Sequence, residues 1–294
     1  MISIWLKAIR VRFLLASIIA VTTGLAIAWW KFQQFDLFYA ILTYAGVACL
    51  HASVDLLNDY WDYKRGIDKL TRRTPFSGGT GVLPENLLTP SSVYKAGLAF
   101  LIIGSSIGIY FVLIRGITIA VILAFAVLAI YFYSTSIVNA GLGELFVAIK
   151  GTMIVLGTFF VQTAQITAEP VYSGVILGLL SALVLFINSF PDHDADKAKG
   201  RRTLVIIMGK KRASTFFAFF PLAVYILIGA GIILNMTTIY SLICLAAFPL
   251  AVKAGISLRR NYEDVNTIIP AMSSTVKFSR LTGALLALSF LLSI

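Results

Sequence analysis

Charge is scarce in this chain of 294 residues. Asp, Glu, Lys and Arg together make up 13% of the sequence, about half of their share in a typical soluble domain. Hydrophobic residues make up 59%, and the mean hydropathy is +0.91. This balance excludes a soluble globular domain, and the repeated apolar runs near bilayer length indicate an integral membrane protein.

Cysteine and acidic residues are also few. The two cysteines, Cys49 and Cys244, lie far apart in apolar runs, which excludes a disulfide framework and a thiolate metal site. The 13 acidic residues are outnumbered by 24 Lys and Arg, for a net charge of +11. Membrane topology and anionic lipid head groups account for this surplus, so we expect membrane lipids and no nucleic acid as partners.

The apolar runs predict an all-α, polytopic membrane fold with nine transmembrane helices around a central cavity, in a single domain over residues 1–294. The predicted spans are Phe13–Trp30, Leu37–Leu57, Ser91–Ile114, Ile117–Tyr133, Leu142–Ala164, Val171–Phe190, Ala213–Leu234, Thr238–Ala254 and Ser279–Ile294. Charge, glycine and proline are concentrated in two longer segments, which are predicted as loops over Asn58–Pro90 and Asp192–Arg212.

The placement of Lys and Arg predicts the orientation. With a cytoplasmic N-terminus, 21 of these residues fall on the cytoplasmic side, only Lys31 and Arg115 fall on the other side, and Lys150 lies within a span. This asymmetry follows the positive-inside rule. We therefore expect a multi-pass protein of the cell membrane whose acidic motifs face the cytoplasm.

Two acidic motifs follow apolar spans on that side. Asp55, Asn58, Asp59 and Asp62 are spaced i, i+3, i+4, i+7, and Asn188, Asp192 and Asp196 are spaced i, i+4, i+8. Each spacing places its residues on one helical face. Acidic residues near a membrane are costly and tend to mark function, so the paired motifs predict a shared site.

The chemistry of the two motifs favours a divalent cation. Clustered carboxylates repel one another unless a cation neutralises them, and oxygen ligands suit Mg²⁺ better than Zn²⁺. Mg²⁺ also takes substrate phosphate oxygens as ligands, and nearby cations suit the binding of a diphosphate. The residues proposed to contact the substrate are Lys64, Arg72, Lys197, Arg201, Arg202, Asn188 and Asp59.

The chain resembles the UbiA superfamily of intramembrane prenyltransferases. The resemblance rests on Asn58-x-x-x-Asp62, Asp192-x-x-x-Asp196, the Lys-Gly-Arg-Arg-Thr-Leu segment at 199–204 and the pattern of spans. The segment Ser77–Leu83 and the Gly141-x-Gly143-Glu144 motif are more similar to the menaquinone-type branch, which prenylates a naphthoate.

The resemblance implies transfer of a polyprenyl chain from an isoprenyl diphosphate to an aromatic acceptor, with Mg²⁺ as cofactor. It implies Asn58, Asp62, Asp192 and Asp196 as metal ligands, with Asp62 and Asp196 also catalytic. Tyr133, preferred over its neighbours Tyr131 and Phe132, is the aromatic candidate to stabilise an allylic cation. Many members carry a further Asp four residues after the first motif, where this chain has Gly66, and Asp68 two positions on is therefore not expected to bind metal.

Several assignments stay open at this stage. Geranylgeranyl transfer to a glycerol-phosphate lipid is an alternative reaction, and a cation transporter is the alternative outside enzymes. A CDP-alcohol phosphotransferase would carry an Asp-Gly-x-x-Ala-Arg run that this chain lacks. Arg10 and Arg12 either anchor the first span or bind an acidic acceptor, and we favour anchoring; Lys150 is either functional or paired inside the bundle.

Overall fold

A computed structural model describes residues 1–293, a range that contains α-helices and no β-strand. The helices are α1 Ile2–Ala8, α2 Val11–Phe32, α3 Leu37–Lys64, α4 Pro90–Arg115, α5 Ile117–Phe132, α6 Gly143–Thr163, α7 Ala168–Ala198, α8 Leu204–Met208, α9 Lys210–Phe216, α10 Phe219–Ile233, α11 Phe248–Asn261 and α12 Ile269–Leu291. A π-helical turn, Tyr133–Ile137, extends α5, and a 3₁₀ segment, Ile239–Ala247, precedes α11.

Eight helical segments between Val11 and Asn261 are long and apolar enough to cross a membrane. They correspond to the first eight predicted spans. The ninth prediction corresponds to α12, which has 23 residues but carries Lys277 and Arg280 and is not among the eight. The predicted end of that span, Ile294, lies outside the described residues.

The two helices that carry the acidic motifs are longer than predicted. α3 has 28 residues and ends at Lys64, and α7 has 31 residues and ends at Ala198. The predicted starts of the two loops, at Asn58 and Asp192, are therefore wrong, because each motif occupies the last turns of its helix. These turns stay helical beyond the apolar run because their polar face is covered by protein.

Small residues bring α6 and α7 into close contact. A Cβ atom on Gly151 would lie 2.8 Å from the Cα of Gly178, and one on Gly178 would overlap the carbonyl group of Ala148. Helices in membranes associate through such close backbone approach, because lipid supplies no hydrophobic driving force between them. This contact fixes the position of the second acidic motif.

Polar contacts also connect the helix ends opposite the acidic motifs. The Asp36 N–H group donates to Gln162 (2.6 Å), and Arg115 donates to the Val161 carbonyl group (2.8 Å). Lys31 pairs there with Glu169. The two cations predicted to be extracytoplasmic thus lie at one end of the bundle, and both acidic motifs lie at the other end.

Candidate active site

The two acidic motifs meet at one cavity of about 120 Å³. We call it the acidic cavity. α3 contributes Asn58 and Asp62 to its wall, and α7 contributes Asn188, Asp192 and Asp196. The structure thus brings together the four residues expected to bind metal, on the helical faces that their spacing indicated.

Arg201 connects the motifs across this cavity. Its guanidinium group donates one hydrogen bond to Asp196 (3.0 Å) and another to Asp62, and its side chain is only 9% exposed. Burial opposes the charge of Arg201, but attraction to Asp62 and Asp196 outweighs it and raises the pKa of Arg201. Arg201 therefore occupies the position of a counter-ion between the two motifs.

Three other oxygen atoms of the cavity wall have no hydrogen-bond partner. They are Asn188 Oδ1, Asp192 Oδ1 and Asp68 Oδ2, and all three are buried. Buried polar atoms are rarely left unpaired, so these oxygens fit a ligand that brings positive charge or hydrogen-bond donors. Within residues 1–293, no three His, Cys, Asp or Glu side chains are already arranged to hold an ion by themselves. The unpaired oxygens fit Mg²⁺, which prefers oxygen ligands and takes waters and substrate phosphate oxygens as further ligands.

Asp68 was not expected to bind metal, yet the structure places it in the wall of the acidic cavity. Its carboxylate lies against Gly79, where a Cβ atom would be 2.9 Å from Asp68 Oδ1. Gly79 has a φ of +74°, which only glycine adopts readily. Burial, with repulsion from Asp59 and Asp62, raises the pKa of Asp68 to about 7.

Asp59 does not line the acidic cavity, although it was predicted to bind substrate. It is 1% exposed and accepts hydrogen bonds from Arg10 (2.5 Å) and from the Thr80 hydroxyl and N–H groups. Its carboxylate connects the start of α2 to the glycine-rich segment after α3. The structure thus indicates a positioning role for Asp59.

Most of the predicted basic substrate contacts lie elsewhere. Lys64, Arg72, Lys197 and Arg202 are exposed and do not line the acidic cavity. Only Arg201 among the five basic residues does so. All five were predicted only because they lie next to an acidic motif in the sequence. That position does not show whether a side chain faces the cavity or the solvent.

Arg10 was expected to anchor the first span, but its side chain lines the acidic cavity instead. It precedes α2 in the left-handed conformation, with a φ of 47°, and its contact with Asp59 turns it inward. The sequence shows only that Arg10 is a basic residue directly before a span. That position is also typical of a residue that anchors the span at the membrane surface.

Tyr133 lies in the cavity wall, whereas Tyr131 and Phe132 are exposed by 39% and 44%. The π-helical turn that begins at Tyr133 changes the direction of the following side chains. Ser134 donates from this turn to Asn58, and π-helical turns are frequent at functional sites. Of the three aromatic residues considered, Tyr133 is the one that lines the acidic cavity.

Two further cavities lie deeper in the bundle than the acidic cavity. The inner cavity, of about 290 Å³, shares Arg10, Asn58, Tyr133 and Asn188 with it and extends into the bundle. Beyond Lys150, the inner cavity adjoins an apolar cavity of about 120 Å³ among α3, α4, α5 and α6. A polar end, a mixed middle and an apolar end suit a substrate with an anionic head and a hydrocarbon tail.

Comparison with known proteins agrees with this arrangement. The model of the UbiA prenyltransferase family matches residues 17–274. The chain belongs to this family. It is therefore a membrane-spanning prenyltransferase, and the match covers both acidic motifs.

Curated relatives of this UbiA member include naphthoate prenyltransferases. The 1,4-dihydroxy-2-naphthoate octaprenyltransferase of Escherichia coli is 26% identical, over 98% of this chain and 95% of the relative. The enzyme of that name from Bacillus subtilis is 27% identical, over 97% of this chain and 91% of the relative.

Solved structures support the fold. The apo structure of a UbiA homolog from Aeropyrum pernix superposes with a TM-score of 0.70 at 17% identity, covering 93% of this chain and 96% of that one. A UbiA homolog from Archaeoglobus fulgidus bound to GPP and Mg²⁺ gives 0.64 at 14% identity, covering 96% and 99%. At these identities the similarity shows a shared architecture.

Proposed function

We propose that this UbiA-family enzyme transfers a polyprenyl chain from an isoprenyl diphosphate to an aromatic acceptor of the naphthoate class, and that it releases diphosphate. The observation that carries the proposal is the convergence of both acidic motifs and Arg201 on one cavity that continues into a larger and more apolar one. The relatives named for naphthoate prenylation support the acceptor class.

Asn58, Asp62, Asp192 and Asp196 would hold Mg²⁺, and Asp68 joins them as a further candidate ligand. When bound, the metal would neutralise charge on the diphosphate as it leaves. The unpaired oxygens of Asp192 and Asp68 support this set of ligands. Substrate entry would release Arg201 from at least one of its carboxylates to contact a diphosphate oxygen, for which a guanidinium group is suited.

The remaining residues of the cavities position the chain. Tyr133, between the acidic and inner cavities, would present its ring to the positive charge that develops at C1 of the prenyl group. The tail would follow the inner cavity into the apolar cavity. Relative to water, burial of the tail is favourable by about 0.8 kcal/mol for each CH₂ group.

We further propose that the site faces the cytoplasm of the cell membrane. The predicted topology assigns 21 of the Lys and Arg residues to the side of the acidic motifs, and only Lys31 and Arg115 to the other side. The positive-inside rule assigns the basic end to the cytoplasm. Water-soluble diphosphate would then leave on that side.

The test uses purified protein in detergent or nanodiscs. The protein is supplied with geranylgeranyl diphosphate, MgCl₂ and one of two acceptors, 1,4-dihydroxy-2-naphthoate or a glycerol-phosphate lipid, and products are identified by mass spectrometry. We expect a prenylated naphthalene and an equal amount of diphosphate, both lost with EDTA and with Asp62→Ala or Asp196→Ala. Transfer to the glycerol-phosphate lipid alone, or activity that survives both variants, would overturn the proposal.

A further inference from the structure

Lys150 lies within α6, about two helical turns from the first residue of the helix. Its side chain borders the inner cavity and the apolar cavity, and it forms no salt bridge with any residue in 1–293. Glu144, which shares its helix, instead accepts a hydrogen bond from the Leu204 N–H group (3.2 Å). A lysine inside a membrane domain is costly unless an anion compensates it, so the position indicates a function.

The charges around the inner cavity leave room for one anion. Its charged lining residues are Arg10, Asp55, Lys150 and Arg280. Arg10 is already neutralised by Asp59 (2.5 Å), which leaves two cations against the single carboxylate of Asp55. A ligand that carries one negative charge would balance these charges of the inner cavity.

A chain of polar residues on α2 and α3 supplies a proton acceptor. Ser17 Oγ lies 2.7 Å from His51 Nδ1, and His51 Nε2 lies 3.7 Å from Asp55 Oδ2. Asp55 Oδ2 is buried and has no hydrogen-bond partner. Asp55 is about one helical turn deeper in α3 than Asn58, which lines both the acidic and the inner cavities, so its carboxylate lies on the path from the diphosphate to Lys150.

We infer that the part of the inner cavity bordered by Lys150 and Asp55 is the acceptor site, beside the prenyl tail. There Lys150 binds the ionised acidic group of the aromatic acceptor, and Asp55 accepts the proton of its reacting hydroxyl group. The inference rests on the proposed function. As the O–H bond breaks, its electron pair flows into the ring. The ring carbon then uses this pair to bond to C1 of the prenyl group, while the C1–O bond breaks and diphosphate leaves with the electron pair of that bond. The ring carbon next loses its proton to diphosphate, and the oxygen recovers a proton from Asp55.

The first experiment compares Lys150→Met with Lys253→Met, a change at an exposed lysine of α11. Each protein is assayed with 1,4-dihydroxy-2-naphthoate and with naphthalene-1,4-diol, which lacks the carboxylate. Because a hydrogen bond to a charged group is worth about one to two powers of ten in affinity, we expect Lys150→Met to raise the KM for the naphthoate about 10- to 100-fold. The KM for the diol and for the prenyl diphosphate should stay within about twofold of wild type, as should every value of Lys253→Met.

An equal rise in KM for both acceptors, or no change in KM for either, would overturn the role of Lys150 and would leave the proposed function unaffected. A wild-type protein that prenylates no aromatic acceptor would overturn both. Binding of the prenyl diphosphate to Lys150→Met serves as the check that the variant is folded.

The second experiment tests Asp55 with naphthol acceptors of graded hydroxyl acidity, obtained by fluorination. Loss of a general base reduces rates by about 10²- to 10⁴-fold, so we expect a fall in kcat of that size for Asp55→Asn with the least acidic acceptor. The loss should shrink as the acceptor ionises more readily, and Asp264→Asn, at an exposed residue, should match wild type throughout. A loss that is constant across the series would contradict a role in proton transfer.

Discussion

Arg201 offers the sharpest test of how the acidic motifs are held together before substrate binds. Replacing it by Gln removes the positive charge between Asp62 and Asp196, which are both less than 10% exposed. Breaking a buried ion pair from one side costs about 3–5 kcal/mol, because the remaining charges lose their compensation. At about 2–4 °C per kcal/mol for a chain of this size, the metal-free variant should unfold about 6–20 °C below wild type.

The same structure predicts that Mg²⁺ restores part of this loss. Two carboxylates without a counter-ion form a better cation site than two that Arg201 occupies, so Mg²⁺ should raise the unfolding temperature of Arg201→Gln more than that of wild type. Thermal unfolding in detergent, with EDTA or with MgCl₂, measures both effects. Arg202→Gln is the matched control for stability, because its side chain is exposed. If Arg201→Gln is as stable as wild type with EDTA, or gains nothing extra from Mg²⁺, the counter-ion role is refuted.

Three further predictions follow from particular contacts. Asp68 has a pKa of about 7 in the folded protein, above the value of about 3.9 expected when unfolded, so its ionisation destabilises the metal-free fold. In thermal unfolding with EDTA, the stability that Asp68→Asn gains over wild type should therefore grow from about pH 4 to pH 7 and then level off. A difference in unfolding temperature that does not change with pH would contradict this. Gly178→Ala should lower the unfolding temperature by forcing a methyl group against the Ala148 carbonyl group, whereas Gly229→Ala, which has open space, should not. Gly157 borders the apolar cavity with room for a Cβ atom, so Gly157→Leu should shift substrate preference towards shorter prenyl diphosphates in competition assays, and an unchanged preference would place the tail elsewhere.

The sequence was sufficient to predict the helical membrane fold, because the apolar runs are long and the bilayer fixes the length of a span. It failed at helix ends. α3 and α7 continue through Asp62 and Asp196 although the apolar runs end earlier, since these carboxylates are buried against Arg201 rather than exposed to water. Hydropathy measures a residue's preference between lipid and water. It does not describe a buried polar site inside the protein, where a carboxylate is compensated by a cation.

The basic residues that face the acidic cavity were even harder to predict from the sequence than the helix ends. Five basic residues next to the motifs were equivalent by sequence, yet only Arg201 faces the acidic cavity, and Arg10 reaches it from a distant part of the chain. Helical periodicity places the acids on one face because they share a helix. Arg201, by contrast, follows the end of α7, so no period fixes its direction. Its inward position is determined by the two carboxylates it compensates, one of them 139 residues away in sequence.

The same reasoning explains why Lys150 and Asp55 were difficult to interpret from sequence. Lys150 is an isolated charge within an apolar run, and Asp55 is the innermost acid of the first motif. A single helix does not reveal whether the partner of either residue lies on another helix or on a substrate. The structure shows Glu144 bound to the backbone of Leu204 and Asp59 bound to Arg10, which removes both as partners for Lys150. What remains is a cation and an unpaired carboxylate facing one cavity beside the diphosphate end. An acceptor with one acidic group and one ionisable hydroxyl group has the chemistry to engage both.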